Sequence, residues 1–218
     1  MPLQLERVAR RLLESTPNYV EVAAVLTCAL TARLLFVPWF WSASPEGSIA
    51  GALVVSVFLY ACVDKGQLFS YLGWRRPRRP VYWLIAPVAG AAAALSVIWI
   101  VRHTGLGLGT DIPFRLLYGI TMGPILEEIL FRGAAFSVIY VTASSIQRLA
   151  KARITLAIVL SSLLFAIAHT TKIGVPWLVF FGMGVLYALF RWQSNSTAVT
   201  ALMHATYNAV IACAMLHW

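Results

Sequence analysis

The chain has 218 residues, 60% of them hydrophobic and only 11% charged, with a mean hydropathy well above zero. A single soluble domain of this length rarely has such a composition, so the sequence describes an integral membrane protein. A formal charge of +9 would point a soluble chain toward nucleic acid, but here the basic residues sit in short segments between apolar runs. That distribution reports membrane topology and implies no nucleic-acid partner.

In chain order, residues 1–18 place Leu5, Val8, Leu12 and Leu13 on one helical face and arginines on the other, which predicts an amphipathic interfacial N-terminal helix ended by Pro17. Apolar windows follow at Val20–Trp41, Ser48–Val63, Val81–Val101, Ile112–Val141, Ile154–His169, Val175–Phe190 and Ala198–Trp218. They predict an all-α polytopic protein of about seven transmembrane helices, several of them short of the ~20 residues a full span needs. The first window is too long for a signal-peptide core and contains Arg33, so it reads as a retained helix. Three parts result: the interfacial helix 1–18, front transmembrane helices with a basic cytoplasmic loop over 19–110, and a core over 111–218 formed by the last four helices.

A cytoplasmic N-terminus assigns Arg7, Arg10, Arg11, Lys65, Arg75, Arg76, Arg78, Arg79, Arg148, Lys151, Arg153 and Arg191 to the inside and only Arg102 and Lys172 to the outside, as the positive-inside rule requires. Arg75–Arg79 is also suited to anionic headgroups. The expected location is therefore a multi-pass protein of a prokaryotic cell membrane. Cys28, Cys62 and Cys213 are widely spaced inside apolar windows, which indicates packing rather than disulfides or a cysteine metal site. Tryptophans near the span ends suit the interfacial belt, and Gly182, Gly184 and Ala188 allow close helix approach.

Glu127, Glu128 and Arg132 lie inside an otherwise apolar window. Ionisable groups there are costly and mark functional sites by default. Residues four apart share a helical face, so Glu128 pairs with Arg132, while Glu127, rotated by about 100°, faces another neighbour. Pro124 either kinks the fourth span or sits in the first turn of a new helix, near whose positive end Glu127 would then lie. Phe165 shares a face with His169 and offers its ring a shelf. His204 and Asn208 share a face in the last span. His103 and His217, and the Gly105, Gly107, Gly109 run, look incidental.

In order, these motifs are Glu127-Glu-x-x-x-Arg132, Phe165-x-x-x-His169 and His204-x-x-x-Asn208. Together, over roughly residues 112–212, the chain resembles the CAAX-protease and bacteriocin-processing (CPBP, or ABI) family of intramembrane glutamic endopeptidases, and no core motif position departs from the pattern. The resemblance implies a proteolytic core of four helices around a hydrophilic chamber open to the cytoplasm. It implies that Glu127 is the general base, that His169 helps to activate the attacking water, and that His204 and Asn208 stabilise the oxyanion. Glu128, Arg132 and Phe165 would support the site. The implied partner is a membrane-associated peptide or protein, lipidated or not, and no cofactor is expected.

A zinc-dependent protease remains an alternative, since two histidines and a carboxylate leave a fourth position for water. Against it, there is no His-Glu-x-x-His helix, and asparagine suits an oxyanion better than zinc. A proton-linked transporter or a non-catalytic scaffold would use the same fold differently, but the chain shows no inverted repeat and no lost motif residue. The site also makes a demand on depth. His169 lies roughly 24 Å along its helix from Arg153, whereas His204 lies only about 20 Å of helix from Arg191. The gap closes if the Ser194–Thr197 turn is recessed, expected here to be into a polar cavity, and tilted or kinked helices would also help to close it.

Overall fold

The structure is a computed structural model that describes residues 72–105, 119–169 and 174–216. The expected N-terminal helix, the first two spans, the glycine-rich run after Gly105, Lys172 and His217 lie outside the described residues. Those described fold entirely as helices: α1 (Tyr82–Thr104), α2 (Met122–Glu128), a π-helical segment (Ile129–Ala135), α3 (Phe136–Ser145), α4 (Arg153–His169), α5 (Val175–Ser194) and α6 (Thr197–Leu216). α1, α5 and α6 are long and apolar enough to cross a membrane, and α4 is a shorter apolar helix. The protein is thus an all-α membrane protein, and its last five predicted spans coincide with these helices to within a few residues, except that the fourth, expected from Ile112, is described only from Gly119, with α2 starting at Met122.

α1 packs on α6 through a stripe of small residues. Ala86, Gly90 and Ala94, followed by Ile98 and Val101, are buried at successive helical turns. A Cβ at Gly90 would run into the Met203 carbonyl, so the glycine is what lets the two backbones approach. The opposite face exposes Leu84, Val88, Leu95 and Trp99, as expected of a surface whose solvent is lipid. α4 packs on α3 and α5, and α2 on α6. Gly184 on α5 meets the backbone of Ser162 on α4, and Ala188 is fully buried, whereas Gly182 faces open space. Two of the three small residues expected at a close helix contact therefore make one, and Gly182 does not, because it lies on the exposed side of α5.

The α5–α6 connection is a two-residue turn with Asn195 at φ 58°, a left-handed conformation that asparagine tolerates better than most residues. Ser194, Ser196 and Thr197 are fully buried. The turn is buried in protein, with the segment 72–78 strapped over it. Thr197 N–H donates to the Gly73 carbonyl (2.9 Å) and Arg78 N–H to the Ser194 carbonyl (2.9 Å). Arg75 donates to both the backbone and the side-chain oxygen of Asn195 (3.1 and 2.9 Å). Burial, and secondarily the charge of Arg78, lower the Arg75 pKa from its usual value, a cost that these hydrogen bonds offset. Gly73 at φ 64° lies directly against the buried Arg191 guanidinium, with no room for a Cβ.

Candidate active site

The acidic pair enters on α2. Pro124 is in the first turn of that helix, so of the two placements open to it the second is found. Glu127, however, is the sixth residue of α2, beyond the first turn in which a helix end acts on a charge. Directly after Glu128 the chain widens into the π-helical segment, a local form that recurs at functional sites. Phe131 to Ala135 are all buried there, and the segment brings Arg132 over the rings of Phe165 and Tyr187 on two other helices.

The two glutamates separate as their spacing suggests. Glu127 Oε2 lies 3.1 Å from His169 Nε2, with the side chains 28% and 15% exposed. Glu128 and Arg132 are fully buried and 3.3 Å apart. Glu128 does more than pair with Arg132, because its Oε1 also lies 3.1 Å from His204 Nδ1. The acid expected to be structural is therefore the one that orients a histidine. Arg132 in turn donates through Nη2 to the Gly184 carbonyl (3.0 Å) and lies over the rings of Phe165 (4.3 Å) and Tyr187 (5.1 Å).

His169, the last residue of α4, has its Nδ1 2.8 Å from the Phe165 carbonyl. A carbonyl only accepts, so Nδ1 carries a hydrogen and Nε2 is the nitrogen turned to Glu127. Phe165 does form a shelf, with its ring 4.2 Å from the imidazole of His169, and its edge approaches His204 at 5.9 Å. Both histidines thus flank one phenyl ring, inside the limit of about 12 Å beyond which one substrate carbonyl and its water could not bridge them. Asn208, one turn beyond His204, donates an amide N–H to the Gly119 carbonyl (2.6 Å). That uses one of the two N–H groups expected for an oxyanion.

Two residues not singled out in the sequence complete the cluster. Tyr187, fully buried, stacks on His204 (4.8 Å, 24°), and Phe180 stacks on the face of His169 (4.7 Å, 28°). A phenol in an apolar span, three residues after Gly184, was the available signal for Tyr187; nothing distinguished Phe180 from lipid-facing aromatics. His103 bonds back to the Trp99 carbonyl (2.8 Å) and packs on the Trp99 ring (4.3 Å) at an exposed helix end, with no contact to the acid–histidine cluster among the described residues. Among the described residues, no three His, Cys, Asp or Glu side chains gather closely enough to hold a metal.

Comparison with known proteins points the same way as these motifs. Residues 109–210 match the family model described as Type II CAAX prenyl endopeptidase Rce1-like. The chain is also similar to the membrane-embedded CAAX protease MroQ of Staphylococcus aureus (strain USA300), with 30% identity over 104 residues, 48% of this chain and 40% of that protein. The alignment thus spans less than half the length of the relative. No solved structure matches the chain. The segment 109–210, just under half of the chain, carries all three motifs and is similar to the CAAX-protease family of membrane proteins.

Proposed function

We propose that the protein is an intramembrane endopeptidase that hydrolyses a peptide bond of a membrane-associated peptide or protein with water activated by Glu127 and His169. The observation that carries this reading is the half-open Glu127–His169 contact of 3.1 Å, with the far side of the imidazole tied to the Phe165 carbonyl. Glu127 accepts a proton from water as its oxygen bonds to the scissile carbonyl carbon. The carbonyl oxygen becomes the oxyanion and is met by N–H groups of His204 and Asn208. When the C–N bond breaks, the proton held by the Glu127–His169 pair passes to the leaving amine, leaving a carboxylic acid and an amine. A positioned base contributes about 10²–10⁴-fold, and an oxyanion donor in a water-poor site about 10²–10³-fold.

The proton inventory supports this division. For His204 Nε2 to donate to an oxyanion while Nδ1 bonds Glu128, the Glu128–His204 pair must hold two protons and is neutral. With Arg132 the buried cluster then carries a net positive charge, suited to a developing oxyanion. The Glu127–His169 pair, by contrast, works by gaining one proton and passing it on. Two acid–histidine pairs, one partly exposed and one sealed, fit the separation of base from electrophile.

The test is proteolysis by the purified protein in lipid vesicles, with farnesylated CAAX peptides and membrane peptide extracts as substrates and new termini read by mass spectrometry. Glu127→Ala, His169→Ala and His204→Ala should each abolish cleavage, and a strong chelator should leave the parent active. Cleavage that survives all three substitutions rejects the proposal, while chelator-sensitive cleavage replaces it with the zinc mechanism.

A further inference from the structure

We propose that Arg191 is a positioning residue for the candidate site: by donating to the Arg132 carbonyl it holds the segment Ile129–Ala135 in its π-helical register and so sets the Arg132–Glu128–His204 contacts. The catalytic consequence rests on the protease reading, whereas the structural part stands without it.

The π-helical segment removes a hydrogen bond that has to be replaced. Ile129 N–H still reaches four residues back, to the Ile125 carbonyl, but Phe136 N–H reaches five back, to the Phe131 carbonyl. In an α-helix the Phe136 N–H would serve the Arg132 carbonyl. The widened turn therefore takes that donor away from Arg132, a fully buried residue, and a buried carbonyl left without a partner costs about as much as a lost hydrogen bond. Arg191 supplies the missing donor, with its Nε 3.2 Å from the Arg132 carbonyl oxygen.

A guanidinium is otherwise a poor way to fill this place. Arg191 is fully buried, and its hydrogen bonds go to neutral oxygens, those of the Arg132 carbonyl and, at 3.4 Å, the Asn195 amide. A buried charge met by neutral groups destabilises a fold where an apolar side chain of similar volume would not. What an apolar side chain lacks is the N–H for Arg132. The surroundings fit this guanidinium closely: Gly73 at φ 64° leaves no room for a Cβ beside it, and the Phe136 ring lies 5.8 Å away. Next to Arg132, a Cβ at Gly133 would come within 3.1 Å of the Leu72 carbonyl oxygen, so the strap, α5 and the π-helical segment close on one point.

From that point the route to the histidine is short. α5 grips Arg132 twice, at the backbone through Arg191 and at the side chain through the Gly184 carbonyl (3.0 Å). Gly184 and Arg191 are seven residues apart on α5 and share a face. Arg132 then pairs with Glu128 (3.3 Å), whose Oε1 lies 3.1 Å from His204 Nδ1. If the segment returned to the α register, Phe136 N–H would take back the Arg132 carbonyl. Side chains on either side of the change would then turn relative to one another, since α- and π-helices advance by different angles per residue. A hydrogen-bonded contact to another helix does not survive such a turn.

The test compares two variants of the full chain purified in detergent. Arg191→Met keeps most of the volume and removes the donor. Asn195→Gly suits the left-handed turn and removes the side-chain oxygen that Arg75 and Arg191 share, but leaves Arg191 Nε on Arg132. With histidine labelled by 15N and the four histidines assigned by replacing each in turn, the His204 signals should move in Arg191→Met and stay in Asn195→Gly, and those of His103 should stay in both. In cleavage, kcat should fall about 10²-fold with KM unchanged in Arg191→Met, the loss expected of a site displaced by about 1 Å, and should hold in Asn195→Gly. His204 signals that match the parent in Arg191→Met overturn the proposal, as do signals that move equally in both variants, which would make Arg191 one more stabilising part of the strap. If Arg191→Met accumulates poorly, Gly73→Ala, whose methyl displaces the guanidinium, is read by the same criterion. The spectra need no substrate: a parent that cleaves nothing sinks the protease reading and leaves this proposal to the His204 signals, whereas an active parent with unmoved signals sinks the proposal alone.

Discussion

Replacing each glutamate by glutamine should separate the two acids by stability as well as by activity. Glu128 is fully buried, and its Oε1 faces both Arg132 (3.3 Å) and His204 (3.1 Å). Glu128→Gln keeps the side chain's volume and an oxygen for the His204 Nδ1–H, but leaves the Arg132 guanidinium without its carboxylate. The Gly184 carbonyl and the two aromatic rings remain to Arg132 in both proteins and cancel from the difference. Breaking a buried ion pair by removing one partner costs about 3–5 kcal/mol, and the retained hydrogen bond places this variant toward the lower figure. Glu127 is 28% exposed where Glu128 is fully buried, so Glu127→Gln should change stability far less than Glu128→Gln, by no more than about 1 kcal/mol. Its activity should nevertheless fall about 10²–10⁴-fold, the contribution of a positioned base. Thermal unfolding of purified protein in one detergent, with cleavage measured on the same samples, reads both quantities. Equal unfolding temperatures for the two variants, with equal losses of activity, would refute the division of labour.

Two further outcomes test how the site is held. Tyr187 stacks flat on His204, so Tyr187→Leu should lower kcat roughly two- to tenfold with little change in KM, as expected for an aromatic pair worth about 0.5–1.5 kcal/mol, while Tyr187→Phe retains the ring and the rate; a rise in KM alone, or failure of phenylalanine to restore turnover, would count against a positioning role. Gly90→Val should destabilise by at least the roughly 1–3 kcal/mol of an overpacked contact, because its Cβ meets the Met203 backbone, whereas Gly182→Ala, facing open space, should unfold like the parent.

The sequence carried the helices and the motif residues because both depend on local rules. Apolar length locates a span, and four-residue spacing puts Glu128 against Arg132 and Phe165 beneath His169 in the α-helical or near-helical turn that follows. What it did not carry is contact between helices. The Glu128–His204 bond joins residues 76 positions apart, and no periodicity within either helix announces it; the same holds for Asn208 on Gly119, where the acceptor is a carbonyl that every residue possesses. The π-helical segment escaped because its cause is tertiary: it buries five consecutive residues, Phe131 to Ala135, among three neighbouring helices. The partners of the α5–α6 turn escaped for a related reason. The recessed Ser194–Thr197 turn was inferred from helix lengths alone, yet the groups that satisfy it come from Gly73, Arg75 and Arg78, residues whose basic character reads from sequence only as topology. Arg75 therefore closes one end of the bundle by hydrogen bonding, while its neighbours Arg76, Arg78 and Arg79 stay exposed. The same short basic segment thus meets a tertiary demand that its composition does not announce: Arg75→Gln, which removes the two bonds to Asn195, should lower the unfolding temperature in detergent, whereas Arg76→Gln, at an exposed residue, should not.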